Sequence, residues 1–201
     1  MTSSMGRAFA AFALDAGVDP ERFRDVVEEA YGGADEEGVV PRLERGEIET
    51  AEFEQWLAGR LSPGATKPVN PEGLRARIFA GLEADPAMAD AVTRARAAGI
   101  RTGLLSNSWG DSGYERSAFR ELFDAVVISA EVGLRKPDPA IFLLAAERIG
   151  VPPEECVFVD DLLHNAEGAR AVGMEGIVHR SAEFTVPRLE ALFGVSLTSG
   201  G

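Results

Sequence analysis

The sequence predicts an α/β protein in which a doubly wound parallel sheet follows a small helical domain. Three features of the pattern carry this expectation. After Asp85, short apolar runs alternate repeatedly with helix-like segments, the order of a parallel sheet covered on both faces. Before Ala80 the apolar residues recur only at helical spacing. Finally, the run Cys156-Val157-Phe158-Val159 leads straight into Asp160 and Asp161. Two like charges then stand at the carboxyl end of a buried strand, where open α/β sheets bind their ligands.

The elements run in order along the chain. MGRAFAAFALDAG, PERFRDVVEEAYGG, EEGVVPRLERGE, TAEFEQWLAGRLS and PEGLRARIFAGL each read as a helix. Asp19-Pro20 and Thr50 open helices, Gly17 and Gly32 close them, and SPGATKPVNPEG is a linker. Phe9, Phe12, Phe23, Phe53 and Trp56 lie on apolar faces and predict a core for this half. Helix PAMADAVTRARAAG then leads into strand IRTGLLSNS, helix YERSAFRELF, strand AVVIS, helix DPAIFLLAAERIG, strand CVFVDD, helix AEGARAVGM and strand GIVH. Two domains are expected, helices over residues 1–80 and the α/β part over 81–201.

Composition narrows the function classes. With 201 residues, 45% hydrophobic and 26% charged, the chain can bury a core. A net charge of -13 with no basic stripe argues against a nucleic-acid partner. The single cysteine, Cys156, excludes an intramolecular disulfide and reads as a reduced core residue. No run approaches the roughly 18 apolar residues of a membrane span, and MTSSMGRAFAAF lacks the order of a signal peptide. A cytoplasmic protein without a membrane partner is expected; oligomeric state has no signature.

If the strand ends converge, three loops meet: Ser106-Asn107-Ser108, Lys136 in GLRKPDP, and Asp160-Asp161. A hydroxyl and backbone N–H groups at a helix start suit phosphate oxygens, Lys136 supplies a point charge, and a carboxylate pair suits Mg²⁺. Taken singly, each has a plainer reading: Asp161 as a helix cap, Lys136 as a solvated loop residue, Ser-Asn-Ser as a turn. Their joint occurrence, each after a predicted strand, favours a site. Trp109, directly after the Ser-Asn-Ser loop, is a candidate to face a substrate. Gly110-Asp111-Ser112-Gly113 matches a serine-protease tetrapeptide in the wrong fold class, GARAVGME lacks the Lys-Ser/Thr of a P-loop, and His164 and His179 lack ligand spacing.

On these residues the sequence resembles the haloacid dehalogenase-like hydrolases, in the branch with a helical cap and similar to the phosphatase-like domain fused to some epoxide hydrolases. LLSNS resembles the second motif, GLRKPDPAIF the lysine motif, and VFVDDLLHNAEGARAVGM the acidic motif. The resemblance implies a Mg²⁺-dependent phosphatase acting on a small-molecule phosphate ester through an aspartyl-phosphate. Ser106 and Asn107 would hold the phosphate, Lys136 would neutralise it, Asp160 and Asp161 would hold Mg²⁺, and Asn165 would orient that shell.

One part of the pattern is missing. The family's nucleophile ends an apolar first strand as D-x-D or D-x-G-G, and this chain has no such motif; Asp15 in AFALDAGVD sits among residues at helical spacing. MTSSMGRAF resembles the segment just after that motif, so a chain truncated before Met1 or a degraded member is expected. Loss of the central first strand predicts a gap or a collapsed sheet between the strand at Ile100 to Leu105 and that at Cys156 to Asp160. The rivals are a dehalogenase, which needs no metal, and a noncatalytic phosphate- or metal-binding protein. A phosphoacceptor receiver domain has its acidic pair first and its lysine last, the reverse of the order here.

Overall fold

The structure, a computed structural model of the chain, describes residues 5–32, 37–82, 85–110, 119 and 121–198. The chain divides into two units, residues 2–84 with 108–112 and residues 85–107 with 113–201. The sequence pattern assigns everything beyond residue 80 to the sheet; the stretch 108–112 groups instead with the helices.

The helical unit contains α1 (Met5–Ala16), α2 (Pro20–Tyr31), α3 (Val39–Glu44), α4 (Thr50–Leu61) and α5 (Leu74–Phe79). Asp19 caps α2 by accepting from the N–H groups of Glu21 and Arg22, while Pro20 at the first position has no N–H to leave unpaired. Gly17 ends α1 in the left-handed region, with the Val18 N–H returning to the Ala13 carbonyl. Thr50 opens α4 as its first helical residue, and Glu49 before it makes no side-chain cap. Phe12, Phe23, Val26, Leu43, Phe53, Leu57, Leu61, Leu74 and Ile78 form the core.

Trp109 is buried in that same core. Its ring lies 5.3 Å from Phe79, 5.4 Å from Phe53, 6.0 Å from Phe9 and 6.3 Å from Tyr31, centroid to centroid. Arg75 donates to its carbonyl. Gly110, next to it, has φ +90°, and a Cβ there would collide with the Thr50 side chain, so the turn beside the indole is restricted to glycine.

The sheet unit runs α6 (Pro86–Ala97), β1 (Gly103–Ser106), β2 (Ala125–Ile128), α7 (Ser129–Val132), α8 (Pro139–Ile149), β3 (Val157–Asp160), α9 (Leu163–Ala171), β4 (Glu175–Val178) and α10 (Ala182–Phe193). The helix expected at 114–123 falls largely outside the described residues. α10 has no counterpart among the expected elements; Ser181 caps it and Pro187 lies inside it.

All pairing is parallel, with Ser106 opposite Ile128 and Asp160 opposite Val178. Among the described residues the strands form two separate pairs, β1 with β2 and β3 with β4. The expected gap between β1 and β3 is therefore present. Helices cover both faces. Val157, Val159 and Ile177 pack with α6 and α10 on one side, whereas Leu105, Val127 and Phe158 pack with α8 and α9 on the other. The alternation along β3 follows from successive strand residues pointing to opposite faces.

Candidate active site

The ends of β1 and β3, with the loop after α7, gather most of the residues singled out from the sequence. Lys136 is 7% exposed, Asp160 6% and Asn165 2%. The Lys136 ammonium donates to Asp160 Oδ2 at 2.6 Å and to the Leu105 carbonyl at 3.4 Å, so it reaches the ends of both strand pairs. Asp160 Oδ1 accepts from the Leu162 N–H at 2.9 Å and from Asn165 Nδ2 at 3.0 Å. A buried carboxylate is thus paired and hydrogen-bonded, as a low-dielectric setting requires.

Asn107 closes the loop from the other side. Its Nδ2 donates to the Lys136 carbonyl at 3.1 Å and its Oδ1 accepts from the Lys136 N–H at 2.9 Å. The side chain expected to hold phosphate serves here as a clamp on the lysine backbone. Ser106 stands half-buried at the end of β1, its hydroxyl 3.4 Å from the Asn107 carbonyl. Gly168 on α9 lets the loop approach closely, since a Cβ there would lie 2.8 Å from the Pro137 carbonyl.

Asp161 is exposed, and so is His164. His179, just past β4, donates its N–H to the Asp160 carbonyl at 2.7 Å, and its ring bonds the buried Thr185 hydroxyl. Burial pushes the His179 imidazole below its usual range, against the opposing pull of Asp85 and Asp161. Cys156 is half-buried, and burial raises its thiol pKa, in keeping with a core residue rather than a nucleophile.

Among the described residues, one buried side-chain polar atom lacks a partner: Asn165 Oδ1. Turning the amide over would set its oxygen against the Asp160 carboxylate, so the orphan acceptor follows from the geometry. Among the described residues no three His, Cys, Asp or Glu side chains gather into a metal cluster. Oxygen donors here include the Asp160 carboxylate and that amide oxygen beside it, with the exposed Asp161 next in the chain. They fit Mg²⁺, which takes one or two carboxylates and completes its shell with water and substrate phosphate.

Sequence reasoning missed the Leu105 carbonyl and the Phe158 ring, which lies 5.4 Å from the Lys136 nitrogen. The strand alternation placing Phe158 and Asp160 on one face was the available signal.

A family model described as haloacid dehalogenase-like hydrolase matches residues 5–173. The chain belongs to that family. Among curated HAD-like relatives, bifunctional epoxide hydrolase 2 of Sus scrofa is 28% identical over 215 residues, 98% of this chain and 37% of the relative. A phosphatase of Mycobacterium tuberculosis is 33% identical over 138 residues, 66% of this chain and 63% of the relative. The chain therefore spans less than two thirds of either. A HAD family enzyme of Bacteroides thetaiotaomicron, solved with magnesium and inorganic phosphate, shares the fold at TM-score 0.63 and 22% identity, over 87% of this chain and 85% of that one.

Proposed function

We propose that this HAD-like chain is the cap and most of the core of a Mg²⁺-dependent phosphatase for a small phosphate ester, residues 1–80 forming the cap. The observation that carries the reading is the buried Lys136 ammonium held between the Leu105 carbonyl and the Asp160 carboxylate. A desolvated cation fixed at strand ends is preorganised for the charge of a phosphoryl group. The Ser106 hydroxyl and the backbone N–H groups after it would bind phosphate oxygens, and Asn107 would hold Lys136 in place.

Asp160 and Asp161 would hold Mg²⁺, with Asn165 oriented beside them. When bound, the ion supplies positive charge to the transferring phosphoryl oxygens. The covalent route needs a carboxylate that attacks phosphorus, releases the alcohol and is regenerated by water. No residue gathered at this site occupies that role. An apolar strand ending in Asp-x-Asp would supply it. The relation to a phosphatase of Mycobacterium tuberculosis supports the reaction class.

The test compares the chain with a version extended upstream by such a strand. We expect the chain to bind Mg²⁺ and inorganic phosphate without turnover, and the extended version to release phosphate from small esters only with Mg²⁺. Halide release from haloacids without metal would overturn the reading in favour of a dehalogenase.

A further inference from the structure

We propose that Phe158 is a positioning residue for the Lys136 ammonium. Its ring, the Leu105 carbonyl and the Asp160 carboxylate together fix the charge where an anionic substrate is met. The nitrogen lies 5.4 Å from the Phe158 centroid, 2.6 Å from Asp160 Oδ2 and 3.4 Å from the Leu105 oxygen. A lysine ammonium sits on a flexible four-carbon stem and has no fixed fork of its own. Two acceptors, one on each strand pair, leave its position loosely defined, and the negative face of an aromatic ring supplies a third restraint.

The ring is itself held. Phe158 meets Phe142 edge to face at 5.1 Å and 83°, and Phe142 on α8 is fully buried. The order Phe-x-Asp puts ring and carboxylate on the same face of β3, so one strand presents both groups to the lysine. The plainer account of Phe158, an apolar residue filling the core against Phe142, makes the same packing but assigns no role to the π electrons.

Fluorination separates the two, because it drains the ring face while nearly keeping its shape. In the full chain, Phe158 is replaced by mono-, di- and trifluorophenylalanine, and binding of inorganic phosphate with Mg²⁺ is measured by calorimetry. The anion arm rests on the phosphatase reading; the ring–ammonium contact does not. Affinity should fall stepwise, reaching about 5- to 30-fold across the series. Independently, the Lys136 ε-methylene protons should show a ring-current shift that disappears in Phe158→Leu. Equal affinity across the series, with the unmodified chain binding phosphate, overturns the proposal. If the unmodified chain binds no phosphate, the phosphatase reading fails, and the rigidity of the Lys136 ε-methylene, read by carbon relaxation across the fluorinated series, decides: a stepwise loss upholds the positioning role, and no change ends it.

Discussion

The Lys136 nitrogen stands 2.6 Å from Asp160 Oδ2 although 24 residues separate them, and both side chains are more than nine-tenths buried. Removing one partner leaves an uncompensated charge out of water. Lys136→Met or Asp160→Leu alone should cost about 3–5 kcal/mol, and the double variant should recover most of that. Urea denaturation of the three variants checks this; single losses that merely add would show that the pair is not coupled.

Asn107 ties two loops through the backbone of Lys136, giving one hydrogen bond and accepting another. Asn107→Ala strands a half-buried N–H and C=O, at a cost of about 1–3 kcal/mol. The denaturant midpoint should drop with an unchanged slope.

The two strand pairs leave β1 and β3 each with one edge not hydrogen-bonded to another described strand. In a parallel ladder, alternate residues bond to alternate sides. Hydrogen exchange should therefore find fast and slow amides alternating along residues 103–106 and 157–160. Uniform protection along either strand would contradict the gap.

Asp124 accepts from the Thr102 N–H at 2.8 Å and pairs with Arg96 at 2.7 Å. The backbone bond, with Arg96 assisting, holds its carboxyl below the usual range despite some desolvation. A depressed folded pKa gives stability that is present above about pH 4 and is lost as pH falls through the folded value. Asp124→Asn should therefore flatten the acid limb of a stability–pH curve and leave its shape near neutrality unchanged.

Trp109 fills the middle of the helical core, ringed by Phe9, Tyr31, Phe53 and Phe79. Trp109→Ala should destabilise the helical unit by about 3–5 kcal/mol, and Trp109→Phe by less. Thermal unfolding followed by near-UV circular dichroism checks both.

Much of this was legible in the sequence because it is local. Helical spacing gave away α1, α2 and α4, Asp19-Pro20 marked a cap, and apolar runs ending in Ser106 and Asp160 marked strands whose ends carry the candidate site. The rest depends on partners distant in the chain. Nothing near Asn107 announces its bonds to a backbone 29 residues on. Trp109 follows a sheet loop, so its place among rings from the first 80 residues was hidden. α10 escaped because Thr185, Val186 and Pro187 interrupt helical propensity, whereas burial of Val186 and Leu189 against α6 stabilises the helix.

The central ring of the helical unit is encoded after the first stretch of the other unit, with 85–107 intervening. During synthesis the five helices must therefore wait for Trp109 to clear the ribosomal tunnel, a delay on the order of seconds at ordinary elongation rates. Until then Phe9, Tyr31, Phe53 and Phe79 lack the ring they pack against. A fragment ended at residue 84 would lack that ring permanently.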